Sequence, residues 1–157
     1  MVKVLSQSTV TRIKELMGEY PTPLAATLPA LHLVQQEIGH LSKEAQLEVA
    51  EILDVPPTRI SEVVSFYSML YEQSVGRHVV KICRTLSCEL RGAKEIISRA
   101  QTILGIKVGE TSADGRVTLL HEECLASCAT GPCLWVDGVL VENLTCAKLE
   151  AVLGGLL

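Results

Sequence analysis

The run H-V-V-K-I-C-R-T-L-S-C-E-L-R-G-A-K-E-I-I-S-R-A-Q-T-I-L, residues 78–104, decides how the chain is read. Val79, Val80 and Ile82 are β-branched and lead straight into Cys83, which predicts a strand over 78–82. From Leu90 to Leu104 the apolar residues Ala93, Ile96, Ile97, Ala100 and Leu104 recur at helical spacing, with Gly105 as a stop. Between strand and helix lie Cys83 and Cys88. A second close pair, Cys124 and Cys128 (C-L-A-S-C), follows the apolar run Val117–Leu120, which reads as another strand. Residues 89–123, enough for one helix and one strand, separate the two pairs. Each pair starts where a strand ends, so the two loops can meet at one edge of a sheet. Four thiols delivered in that way suggest a tetrathiolate metal site.

Three occupants suit such a site. Structural zinc favours tighter knuckles, usually with two residues between paired cysteines, and no histidine completes a Cys/His pattern here. A 2Fe-2S cluster spreads four thiolates over two irons and tolerates wider pairs. Unligated thiols are the third reading. The absence of C-x-x-C counts against a thioredoxin-type dithiol enzyme. Spacing leaves one ambiguity, because Cys128 and Cys133 (C-A-T-G-P-C) repeat the Cys83–Cys88 interval. Pro132 biases Gly131 away from helix, and Cys133 opens the apolar run Leu134–Val136, so Cys133 reads as a small buried hydrophobe. Cys146 reads the same way. Thr85, Ser87 and Ser127 could donate hydroxyl hydrogen bonds to the sulfurs, or serve as ordinary turn residues.

The flanks complete the fold. Asp137–Gly138 between Leu134–Val136 and Val139–Val141 is a hairpin signal, and Thr145 can cap a final helix that Gly154–Gly155 stops. Strand, helix, strand, hairpin and helix follow the order of a thioredoxin-like domain. Residues 1–75 carry no cysteine and read as four helices with one apolar stripe each. The stripes are Val10, Ile13, Leu16 and Met17; Leu24, Leu28, Leu31, Val34 and Ile38; Ala45, Val49, Ile52 and Leu53; and Ile60, Val63, Val64 and Tyr67. Thr22 and Ser42 are placed as caps, with Pro23 opening the second helix. The expected architecture is therefore α/β: a small N-terminal helical bundle over 1–75 and a thioredoxin-like ferredoxin domain over 76–157. Phe66, Tyr67 and Tyr71 are expected to pack at the end of the bundle. His32 and His40 have no neighbouring ligand type and read as helix-surface or loop-end residues.

Composition narrows the function classes. A net charge of −4, with no Lys/Arg cluster, argues against nucleic acid as a partner. No apolar run approaches the roughly 18 residues that a membrane span needs, so direct insertion is not expected. Cysteine this sparse, without a secretory signal, suggests a reducing, cytoplasmic setting. Nothing in the chain resembles a Ser/His/Asp set, a phosphate loop or a paired acid and base, so no independent catalytic site is expected.

The segments C-R-T-L-S-C-E-L-R-G-A (83–93), L-G-I-K-V-G-E-T-S-A-D-G-R-V-T-L (104–119), E-C-L-A-S-C (123–128) and V-E-N-L-T (141–145) carry a resemblance. So do G-E-Y-P (18–21), L-H-L-V-Q-Q-E-I-G-H-L-S (31–42) and V-V-S-F-Y-S-M-L (63–70). Together they resemble the small 2Fe-2S subunit of the NADH-oxidising module of respiratory complex I, from about Val10 to Leu153. That resemblance implies one 2Fe-2S cluster held by Cys83, Cys88, Cys124 and Cys128. It also implies a larger partner subunit that binds NADH, FMN and a 4Fe-4S cluster, in a complex peripheral to the inner face of a membrane. The chain would pass electrons between its cluster and that partner's flavin. Related subunits occur in NAD-dependent formate dehydrogenases and bifurcating hydrogenases, which is the alternative host; a zinc-stabilised interaction module is the rival of another class. Two positions depart from the family's habit: Cys133, where an apolar residue is usual, and Ala126, where glycine is common.

Overall fold

The computed structural model describes residues 3–157, and the chain divides into two compact units at Ser74/Val75. The first unit is helical. Helix α1 (Gln7–Glu19) is capped by Ser6, whose hydroxyl accepts from the Thr9 N–H. Thr22 caps as expected, but Pro23–Ala26 forms a 3-10 turn and helix α2 begins only at Thr27, running to Ile38. Leu24 therefore leaves the expected stripe and is exposed, whereas Leu31 and Val34 are fully buried. Gly39 ends α2 at φ 84°, a left-handed position that glycine occupies without the Cβ clash of other residues. Ser42 caps α3 (Lys43–Leu53), and Pro57 opens α4 (Pro57–Phe66). Ile13, Leu31, Val49, Leu53 and Ile60 meet in one core, each fully buried and contributing about 1.5–3 kcal/mol of apolar transfer. Phe66 does not pack into that core. It is 80% exposed and touches Tyr67 edge-on, at 5.1 Å between ring centres.

The second unit is a four-stranded sheet with helices on one face. Strands β1 (His78–Cys83) and β2 (Val117–Glu122) pair in parallel, with Cys83 opposite Glu122. Strand β3 (Leu134–Val136) runs antiparallel to β1, and β4 (Val139–Val141) closes the hairpin, for the order β2-β1-β3-β4. The hairpin turn places Asp137 at φ 49° and Gly138 at φ 91°, the two positive φ values that a tight hairpin loop requires. Alternation sends Val80, Ile82, Val117, Leu119, Leu134 and Val136 to one face. There they form a core with Ile96 and Ala100 of α6 (Ala93–Leu104) and Leu149 and Leu153 of α7 (Cys146–Gly154).

The strands lie where periodicity placed them, but the helix expected from Leu90 does not begin there. Residues 86–89 form a one-turn helix, α5 (Leu86–Glu89), which carries Cys88. Gly92 at φ 95° then breaks the path before α6. Leu90 is left 79% exposed between the two helices. Among the described residues no helix is long and apolar enough to cross a membrane.

Candidate metal centre

The parallel pairing of β1 with β2 brings the two cysteine loops out at the same sheet edge. Cys83 is the last residue of β1 and Cys124 follows β2 by two positions. The Cys83 thiol lies 3.5 Å from the Glu123 carbonyl, and the Arg84 Nε donates to Glu123 at 2.7 Å. That exposed ion pair contributes little energy but joins the residue after Cys83 to the residue before Cys124.

The four expected ligands form two pairs in different surroundings. Cys83 and Cys88 are 1% exposed, whereas Cys124 and Cys128 are exposed, with their sulfurs 3.9 Å apart. Cys133 joins the buried pair. Its Sγ stands 3.9 Å from that of Cys88, and the sulfurs of Cys83, Cys88 and Cys133 all lie within 4.8 Å of one another. Cys133 is fully buried at the start of the apolar run, as its position suggests. The sequence did not place its sulfur beside Cys88, because that contact depends on β3 pairing with β1, where the Cys83 N–H donates to the Cys133 carbonyl at 3.1 Å. The repeated spacing of C-A-T-G-P-C was the one available signal. Cys146 lies away from the group, 3.8 Å from a Glu95 carboxylate oxygen.

Electrostatics separate these thiols. Burial opposes ionisation of Cys83, but the Thr85 hydroxyl at 3.2 Å, the Thr85 and Leu125 N–H groups and the Cys88 thiol outweigh it and hold this thiol below its ordinary value. Burial, then the neighbouring Cys83, pushes Cys88 up. Cys133 is pushed up to about 12, first by burial and then by the charge of Cys88. Without a metal ion, Cys83 is the natural first thiolate.

The second loop is held by residues to which the sequence pattern assigned no role. Ser127 does not face a sulfur. Its hydroxyl donates to Glu142 and lies 2.5 Å from Thr130 Oγ1, and Thr130 also donates to Glu142. These two hydroxyls hold the Glu142 carboxyl below the ordinary range, Ser127 first. The Asn143 N–H donates to Thr130 O at 2.6 Å and the Leu144 N–H to Pro132 O at 2.9 Å, so the V-E-N-L-T stretch is zipped along the Cys128 turn. Arg91 donates to the Ala129 carbonyl at 2.6 Å, fastening this turn next to α5. Gly131, extended at φ −67° and ψ 160°, lies so close to Cys88 that an added Cβ would sit 2.9 Å from its Sγ. Ala126 stands at φ 57°, and its N–H points to Cys124 Sγ at 3.4 Å.

Similarity to known proteins decides what this edge is. The family of thioredoxin-like 2Fe-2S ferredoxins matches residues 13–157. The chain belongs to that family. As a thioredoxin-like 2Fe-2S ferredoxin it is similar to an NADH-quinone oxidoreductase subunit of Pseudomonas aeruginosa, 37% identical over 85% of this chain and 81% of that one. It is 40% identical to NADH-quinone oxidoreductase subunit 2 of Thermus thermophilus, over 92% of this chain and 81% of the other. Among solved structures, an NAD+-reducing NiFe hydrogenase in its air-oxidised state superposes with TM-score 0.71 at 21% identity, over 83% of this chain and 22% of that one, a likeness of fold.

The cofactor of this ferredoxin family is a 2Fe-2S cluster, and the donor set fits it. Soft thiolates suit iron-sulfur centres, and such a cluster, being anionic, is stabilised by hydrogen bonds to its sulfurs. The N–H groups of Thr85, Leu125 and Ala126 and the Thr85 hydroxyl already point at Cys83 or Cys124 sulfur.

Proposed function

We propose that this chain is the electron-transfer subunit of a multi-subunit NADH dehydrogenase, with Cys83, Cys88, Cys124 and Cys128 as the cluster ligands. The likeness to NADH-quinone oxidoreductase subunits, across four-fifths or more of both chains, carries this reading. The bound cluster supplies one-electron chemistry; the protein supplies its position and its electrostatic surroundings. Cys83 and Cys88 would anchor one flank in the interior. Cys124 and Cys128, exposed on their pinned turn, would hold the other flank where a partner can approach. The partner is a larger iron-sulfur subunit that binds FMN and NADH, with which electrons are exchanged. We assign the helical unit, which has its own core and no thiol, to docking within the complex rather than to the cluster. The complex as a whole would sit at the inner face of the membrane.

Co-expression with the adjacent flavoprotein subunit tests the reading. The two chains should co-purify, and NADH should reduce this chain's cluster, seen as a 2Fe-2S EPR signal, only when the flavoprotein is present. A chain that is reduced by NADH equally well alone, or that never associates, would overturn it.

A further inference from the structure

Cys133 supplies a thiol that the proposed ligand set leaves unused. It belongs to a triangle built by three elements: Cys83 ends β1, Cys88 sits on α5, and Cys133 leads into β3. All three are at most 1% exposed, packed with Ala93 and Leu125. The hydrogen bond from Cys83 N–H to Cys133 O fixes one side, and the close approach of Gly131 to Cys88 Sγ leaves little slack on another. Zinc bonds thiolate sulfur at about 2.3 Å, so two sulfurs on one ion stand roughly 3.8–4.0 Å apart in tetrahedral or trigonal geometry. The Cys88–Cys133 separation of 3.9 Å falls within that interval, and the 4.8 Å limit on the remaining pairs asks for a contraction of less than about 1 Å.

We propose that Cys83, Cys88 and Cys133 form a trithiolate site for a single thiophilic divalent cation of the zinc and cadmium class in the cluster-free chain. Binding exchanges three S–H protons for three metal–sulfur bonds and moves no electrons. The site shares Cys83 and Cys88 with the cluster set, so cation and cluster exclude each other. A thiophilic ion would then block cluster insertion at its buried flank. The site rests on the three-thiol geometry alone and would stand even if the cluster assignment fell.

The test uses the full-length cluster-free chain, reduced and anaerobic, titrated with cadmium while sulfur-to-cadmium charge-transfer absorption and the 113Cd NMR shift are followed. The double variant Cys124→Ala/Cys128→Ala should keep one tight ion with a three-sulfur shift. Adding Cys133→Ala to that background should weaken binding about 100-fold or more, since even changes outside the ligand shell cost 10–100-fold. Cys133→Ser, which keeps the volume, replaces it if the alanine variant fails to fold. Cys146→Ala should change nothing. Loss of the ion in the double variant, or undiminished affinity after Cys133 is removed from it, would overturn the proposal. Iron content of the isolated wild-type chain tests the cluster reading separately.

Discussion

At Ala126 the backbone stands at φ 57°, a left-handed conformation that costs an L-residue roughly 1–2 kcal/mol. The reward is an N–H aimed at Cys124 sulfur. Glycine, common at this position in the family, adopts the same conformation without the clash, although it loses more backbone entropy on folding. Ala126→Gly should therefore stabilise the chain by up to about 1 kcal/mol, read as a higher denaturation midpoint with an unchanged cluster spectrum. A lower midpoint would show that the loop is not strained there. Gly131 presents the opposite case. A methyl group at this position would press on Cys88 Sγ from 2.9 Å, against a short side chain on a helix turn that cannot swing away. Gly131→Ala should lower iron content and shift the EPR signal, while Gly18→Ala, which meets nothing within 4 Å, should leave both unchanged.

Elements were legible where a single period governed them. The strands Leu134–Val136 and Val139–Val141 were fixed by alternation and by Asp137–Gly138, and they lie where expected. The start of α6 was not, because Leu90 fits the apolar period while Gly92, two residues on, takes a left-handed φ that periodicity does not register. Leu24 misled for a similar reason, since a helix and a 3-10 turn share the same Thr-Pro opening. The thiol pairs could be read from spacing and resemblance. The contact of Cys133 with Cys88 could not, because it is created by an antiparallel pairing between residues far apart in the chain.

The turn before β2 carries a pH dependence at this scale. Asp114 accepts from the Ser112 hydroxyl at 2.6 Å, the Arg116 N–H at 3.0 Å and Arg116 Nε at 2.7 Å. With Ser112 contributing most, these hold its carboxyl at about 2 rather than 3.8. A depressed carboxyl stabilises the fold fully above its unfolded value, and the contribution fades as pH falls towards the folded one. The gap in urea midpoint between wild type and Asp114→Asn should be open at about pH 6 and narrow steadily below about pH 4. A gap independent of pH would contradict the assignment.

Across the whole molecule, each compact unit has its own buried core, one centred on Leu31, Val49 and Ile60 and the other on Ile82, Leu119 and Leu134. The thiols all belong to the second unit. A chain that starts near Val75 should therefore keep its iron and its EPR signal but fail to join the flavoprotein complex. Normal assembly of that truncated chain would remove the docking role assigned to the helices.

The ligand set is the central claim, and the buried triangle gives it a definite rival in which Cys133 replaces one of the exposed cysteines. Iron, acid-labile sulfide and EPR measured side by side on Cys133→Ala and Cys124→Ala separate the two. Cys133 should be dispensable, its variant retaining two irons, two sulfides and the wild-type signal with some loss of packing stability, while Cys124→Ala loses or distorts the cluster. An intact cluster in Cys124→Ala, together with its loss in Cys133→Ala, would contradict the account.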